Sequence, residues 1–176
     1  MNKPVLYTIG HSTRTLMEFM DLLHAYDVSQ IVDVRTIPKS RHNPQFNGAE
    51  LKTSLRQSGI HYRHISKLGG LRHSKKGSKN LGWRNVSFRG FADYMATPAF
   101  GEGVDELLRI AVRRVTAIMC AEAVPWRCHR ALIADALIKR GWVVRDIMTR
   151  TSAPRRRLTP SLKVKSGVIT YPAPSA

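Results

Sequence analysis

The sequence predicts an α/β fold: one domain with a mainly parallel sheet of about five strands, helices on both faces and a C-terminal hairpin. Three observations predict it. Short apolar runs rich in β-branched residues alternate with longer segments whose apolar residues recur at three- and four-residue steps. That alternation calls for parallel strands joined by helices that cover the sheet. With 176 residues, 43% hydrophobic and 23% charged, the chain has the size and composition of one domain with a substantial core.

Val5 to Ile9 reads as the first strand, ending at Gly10-His11-Ser12. Ser12 or Thr13 is expected to cap a helix in which Leu16, Phe19, Met20, Leu23 and Tyr26 share one face. Gln30 to Thr36 is the second strand, and alternation puts Ile31, Asp33 and Arg35 on one side of it. Pro38 and Pro44 mark a loop. Gly48 to Ser58 reads as a helix with Leu51 and Leu55 inward and Gly59 as its stop. Ile60 to Ile65 is a weaker third strand, interrupted by His61, Arg63 and His64.

Lys67 to Gly90, with five glycines and seven basic residues, reads as a long exposed loop. Loops of that length in compact domains are usually functional or disordered. Phe88 to Met95 and Gly103 to Arg113 read as helices. Val115 to Cys120 is a buried strand, broken off before Pro125. Arg127 to Arg140 then reads as a helix that buries Leu132, Ile133, Ala136 and Leu137 and ends at Gly141. Trp142 to Met148 is the last core strand. Residues 1–150 are thus the core with its basic loop 67–90, and 151–176 a basic extension packed on or beside it. Within the extension, Leu162 to Tyr171 is expected to form a hairpin around Ser166-Gly167.

The charge is unusual: 29 Lys+Arg against 12 Asp+Glu, a net +17. Such a balance predicts attraction to polyanions, nucleic acid first, although general surface basicity is the plain alternative. No acidic residue lies between Glu50 and Asp93, and none follows Asp146. Lys67, Arg72, Lys75, Lys76, Lys79 and Arg84 in the first segment, with Arg155, Arg156 and Arg157 in the second, are the candidate nucleic-acid contacts. The two segments would form one positive face if they met in space. Two cysteines make no disulfide framework. No signal peptide and no membrane span is expected, so a reducing cytoplasm is the default location.

Chemistry is expected where strands end. Cys120 and Glu122 lie at the carboxyl end of the fourth strand, with Cys128, His129 and Arg130 assigned to the first turn of the next helix. Ligands of open α/β sheets sit at that edge, and a helix start favours anions. His11-Ser12 and Asp33 with Arg35 end neighbouring strands and would join the same pocket. Arg35, Arg127 and Arg130 would hold an anion, with Ser12, Cys120 and His129 beside it. Glu122 or His11 would move protons, Asp33 would orient a partner, and Cys128 would be nucleophile or thiolate ligand. Each has a structural alternative: His11 as a helix cap, Asp33 and Arg35 as an internal ion pair, Glu122 as a partner for free amides, Cys120 as a small buried residue.

Several templates fail. A cysteine-dependent phosphatase or rhodanese-like loop has arginine six positions after its cysteine, but position 126 is Trp and the arginine arrives at Arg127. The Cys120 to Cys128 gap is not a zinc-pair spacing, and Cys128 and His129 would diverge on a helix, so no metal is expected. Gly69-Gly70 and Gly77 make no phosphate-binding loop, no spaced triple glycine follows the first strand, and no cofactor is implied. Trp83, Phe88, Phe91 and Tyr94 could stack bases, but core packing is the commoner role of such aromatics.

Three functions remain open. The first is an enzyme binding a phosphate-bearing nucleotide, nucleic acid or phosphorylated small molecule at the sheet's carboxyl edge. The second is a non-catalytic nucleic-acid-binding protein, and the third a redox sensor pairing Cys120 with Cys128.

Several pieces together carry a family resemblance. They are Thr8-Ile9-Gly10-His11-Ser12, Asp33-Val34-Arg35 with Pro38 and Ser40, Gly59-Ile60 with Tyr62, and Leu68-Gly69-Gly70. Further pieces are Phe91 to Met95, Met119-Cys120-Ala121-Glu122, Pro125 to Arg130 and Ile169-Thr170-Tyr171-Pro172. In these the chain resembles the domain of unknown function 488 family from Tyr7 to Pro172. The resemblance implies an intracellular, largely prokaryotic α/β domain with no settled activity.

Overall fold

The computed structural model describes residues 3–175. Five parallel strands form its centre: β1 (Val5–Gly10), β2 (Gln30–Asp33), β3 (His61–His64), β4 (Thr116–Cys120) and β5 (Val143–Asp146). Their order across the sheet is β3-β2-β4-β1-β5. Helices α1 (Leu16–Ala25), α2 (Gly48–Gln57), α3 (Val86–Tyr94), α4 (Pro98–Ala111) and α5 (Arg130–Lys139) join them. A hairpin of β6 (Lys163–Lys165) and β7 (Val168–Thr170) completes the fold. The expected α/β class, parallel sheet and hairpin are all present.

The two faces of the sheet follow from alternation along each strand. Ile9, Ile31, Ala117 and Met119 pack against Phe19 and Leu23 of α1 and Leu51 and Leu55 of α2. Leu6, Val32, Ile118 and Cys120 point the other way, onto α4 and α5 through Val104, Leu107, Leu132 and Ile133. Full coverage explains why the central strands lack polar alternation. The chain leaves β1 and β2 toward the first face and β4 toward the second. That reversal at β4 opens a crevice beyond its carboxyl end.

Several boundaries differ from the sequence reading, each for a local reason. The cap of α1 is Thr15, whose hydroxyl accepts the Glu18 amide while the Glu18 carboxylate accepts the Thr15 amide. Ser12 instead takes a positive φ of 48° in the turn after β1. Helix α4 begins at Pro98, earlier than Gly103, because Thr97 caps it and proline suits a first helical position. Helix α3 begins at Val86, where Asn85 accepts the amides of Ser87 and Phe88, and so shortens the basic loop. Helix α5 begins at Arg130, not Arg127, because Pro125–Arg127 forms a 3-10 turn and Cys128 is extended at φ −129°, ψ 149°.

The basic loop is organised by a residue the sequence reading passed over. Asp93 of α3 accepts hydrogen bonds from the Lys75 amide, the Ser78 hydroxyl and the Asn80 side chain. These hold its carboxyl below the ordinary range although burial opposes the charge. Asn80 in turn accepts the Tyr171 amide, and the Gly82 amide donates to the Tyr171 carbonyl. Tyr171 is fully buried and donates its hydroxyl to Asp135 on α5 at 2.9 Å. Loop and tail are thereby tied to each other and to the core.

Candidate functional site

The crevice beyond β4 is a cleft of about 410 Å³, the size of a small-ligand site. Arg35, Lys39, Glu122, Arg127, Cys128 and His129 are among the residues that line it. Cys128 sits at its floor. Its sulfur is 2.6 Å from that of Cys120, the last residue of β4, and both thiols are free. The Nε of Arg130, itself only 1% exposed, donates to the Cys120 sulfur at 3.0 Å. Its other nitrogens are occupied by the Thr8 hydroxyl and the Glu122 carbonyl.

His129 completes this group. Its Nε2 lies 2.9 Å from the Val34 carbonyl, which can only accept, so that nitrogen carries the proton. Its Nδ1 then faces the Cys128 sulfur at 3.5 Å. Adjacent residues can converge in this way because Cys128 is extended and only His129 has turned toward the helix. The expectation that they diverge on one helix is corrected by that backbone. The ring is seated by the edge contact of Phe91 at 5.1 Å and by Gly70, where a Cβ would fall 2.7 Å from Nδ1.

The thiols do not titrate alike. The Cys128 thiol is held well below its ordinary value, first by the hydrogen bond from Cys120 and then by His129 and Arg130. Burial pushes Cys120 well above its ordinary value, and its proton is the one shared with Cys128. Burial also works against the Arg130 charge, yet the neighbouring sulfurs keep that guanidinium protonated. The pair therefore favours the thiolate form on Cys128 over Cys120, beside a buried cation.

The residues expected to share one pocket fall into two groups on opposite faces of the sheet. Asp33, fully buried, forms a two-pronged ion pair with Arg35 at 2.9 and 2.6 Å and accepts the Tyr62 hydroxyl at 2.7 Å. Arg35 also donates to the Phe46 carbonyl. His11 stacks on Phe46 at 4.3 Å, donates Nδ1–H to the Ser12 carbonyl and accepts from Arg35 at 3.4 Å. Burial lowers its pKa, consistent with a neutral ring. Neither Asp33 nor His11 lines the cleft, so their expected catalytic placement is corrected. They brace the loop after β2, and Arg35 alone of this group reaches the cleft wall.

The parity of the strands explains the division. Gly10 pairs with Cys120 and Asp33 with Met119, so His11 and Asp33 project from the face opposite Cys120. Glu122 does line the cleft, but it is exposed and its carboxylate accepts the Val124 amide at 3.0 Å. Gly10 permits the close approach of this segment: a Cβ there would lie 1.9 Å from the Glu122 carbonyl oxygen.

Residues 15–137, more than half of the chain, match the family described as domain of unknown function DUF488. The chain belongs to that family. No curated protein and no solved structure matches it.

In this DUF488 chain the basic candidates divide as well. Lys67 pairs with Glu102, and Arg72 lies 3.6 Å over the Tyr94 ring while donating to the Gly69 carbonyl. Arg156 is half-buried 3.4 Å from Asp146, and so serves the core more than a ligand surface. Lys75, Lys76 and Lys79 line a second groove together with Lys165 of the tail hairpin. Arg84, Arg155 and Arg157 are exposed. Trp83 and Phe88 stack on each other at 5.0 Å, with Tyr171 against Trp83, which makes them core packing. Among the described residues no group of three or more His, Cys, Asp or Glu side chains is placed to hold a metal, and no helix is long and apolar enough to cross a membrane.

The sequence reading missed Asp93, Tyr62, Thr8 and Gly70 as parts of these arrangements. Asp93 had a readable signal: it is the first acid after a long acid-free stretch, so many donors compete for it. Gly70 and Thr8 stand out only as pieces of the family resemblance, which gives them no role, since their contacts are with residues far along the chain.

Proposed function

We propose that the chain is a thiol-dependent enzyme that acts on an anionic small molecule in the cleft at the carboxyl edge of the sheet. Cys128 is the nucleophile and His129 the base that takes its proton. The observation that carries this reading is the Cys128–His129–Val34 alignment at the floor of an open cleft. Nucleophile, base and orienting carbonyl stand within hydrogen-bonding reach of one another, as activation of a cysteine requires. Arg127 and Lys39 at the rim, with Arg35 in the wall, favour a phosphate or carboxylate on the substrate. Free thiols suit a reducing cytoplasm.

Labelling with iodoacetamide followed by peptide mapping tests the reading. At neutral pH Cys128 is expected to react faster than an ordinary free thiol, and inorganic phosphate or a nucleoside monophosphate is expected to slow it. A rate at or below that of an unperturbed thiol would remove the nucleophile.

A second reading, nucleic-acid binding, is favoured by one observation. The two basic segments meet, with Lys75, Lys76, Lys79 and Lys165 all lining a groove of about 580 Å³ that Asp93 also lines. A lysine-walled groove suits a phosphodiester backbone. Affinity for a DNA oligonucleotide that falls steeply with added salt supports it, and no binding at low salt excludes it.

A further inference from the structure

Both cysteines line the cleft, and Cys128 is only slightly the more exposed, at 6%. Cys120 is 3% exposed, sits at the end of a buried strand and is held by the buried Arg130 guanidinium at 3.0 Å. Cys128, whose sulfur faces the His129 ring at 3.5 Å, is therefore the one placed to attack. The second sulfur is already 2.6 Å away. This division of partners between the two sulfurs matters for what the pair can do.

Beyond lowering the pKa of a nucleophile, a neighbouring thiol cannot resolve its adduct to carbon or phosphorus by attack at sulfur, because a thiolate does not attack the cysteine sulfur of such an adduct. It is decisive when the adduct leaves an electrophilic sulfur on the nucleophile, since a second thiolate within reach and in line attacks that sulfur, at a rate set also by its own pKa and that of the leaving thiol. From this geometry we infer that the cleft carries out thiol–disulfide exchange on a small disulfide bearing acidic groups, with Cys128 attacking and Cys120 resolving. The inference rests on the reading of Cys128 as nucleophile and names the substrate class of that same site.

The steps balance. The Cys128 thiolate attacks one sulfur of the substrate disulfide, forms a mixed disulfide and expels the first substrate thiolate, which takes the proton given up by Cys120. The Cys120 thiolate then attacks the Cys128 sulfur, forms the Cys120–Cys128 disulfide and expels the second substrate thiolate, which is protonated from solvent. The two cysteines lose two electrons in all, and the substrate disulfide gains them and leaves as two thiols. An external dithiol reductant returns the pair to its starting state by the same exchange in reverse.

Arg130 serves both steps, because its guanidinium faces the Cys120 sulfur as charge develops there. Arg127 and Lys39 at the rim would hold the acidic groups. A hydroperoxide would also leave an electrophilic sulfur, but it needs neither a cleft of this volume nor a cationic rim.

The test treats the reduced full-length protein with oxidised glutathione, quenches in acid and maps the products by mass. Wild type is expected to lose two hydrogens, link Cys120 to Cys128 and retain no glutathione. Cys120→Ser and Cys120→Ala are expected to retain one glutathione on Cys128, with the adduct lasting at least tenfold longer than in wild type. The use of two variants guards against one that fails to fold, which circular dichroism reports. If wild type keeps the Cys128 adduct as long as both variants do, the resolving role of Cys120 is overturned while the nucleophile stands. If Cys128 takes up neither glutathione nor iodoacetamide, the nucleophile falls as well. Hydrogen peroxide in place of glutathione forming the link at least tenfold faster would overturn the assignment of the substrate as a disulfide.

Discussion

Gly70 decides where the His129 ring can lie. Any side chain there meets the imidazole, since a Cβ would come within 2.7 Å of Nδ1 and 2.8 Å of Cγ. Gly70→Ala is expected to push the ring off Cys128 while leaving the sheet intact. Loss of a positioned base slows reaction by roughly tenfold or more, so alkylation of Cys128 in the variant is expected to fall that far with an unchanged circular dichroism spectrum. An unchanged rate would mean that His129 is not the base. The pH profile gives a second handle at this scale. Cys120, His129 and Arg130 all face the Cys128 sulfur and hold its thiol well below the ordinary value, the Cys120 hydrogen bond foremost. As pH falls, an ordinary thiol loses its reactive form, whereas Cys128 retains it to lower pH. Between pH 8 and pH 6 an unperturbed thiol slows by roughly 80-fold, while the Cys128 rate is expected to change by only a few-fold. A profile that tracks the ordinary thiol would place the proton back on Cys128.

Among the elements, the tail following β5 does more than carry charge. It runs antiparallel beside β5, where the Arg156 amide donates to the Val144 carbonyl and the Asp146 amide to the Pro154 carbonyl, and so closes an exposed sheet edge. It then returns to bury Tyr171 between the basic loop and α5. Burial raises the pKa of Asp135, and Tyr171 and Thr159 supply the donors that its carboxylate has there. Tyr171→Phe keeps the ring but strips one donor from a fully buried acid, a change that costs about 1–3 kcal/mol. A urea denaturation curve is expected to show the midpoint lowered with an unchanged slope. An unchanged midpoint would show that the hydrogen bond is not what fastens the tail. The loop shows how a long irregular segment can still be ordered. Its polar groups converge on Asp93 because that carboxylate is the one acid within their reach in an otherwise acid-free stretch.

Over the whole molecule, the net charge of +17 becomes a surface only where the fold brings basic residues together. Lys75, Lys76 and Lys79 lie some ninety positions from Lys165, yet they line one groove. If a phosphodiester backbone lies there, replacing these lysines by glutamine is expected to flatten the dependence of log affinity on log salt by about 0.9 for each phosphate no longer neutralised. Replacing Lys67, which pairs with Glu102, is expected to change that slope less. Equal effects from both sets would mean general attraction to a basic surface and no groove site.

The sequence by itself determined the α/β class, the five strands and the edge of the sheet at which the cleft lies. These follow from periodicity and local breakers, which act over a few residues. The tertiary structure alone decided which polar residues share that edge. Strand register places His11 and Asp33 on the face opposite Cys120, and register arises from pairings between segments far apart in the chain. It also decided that Cys128 and His129 meet, because the 3-10 turn at Pro125–Arg127 delays the helix and leaves Cys128 extended over the end of β4.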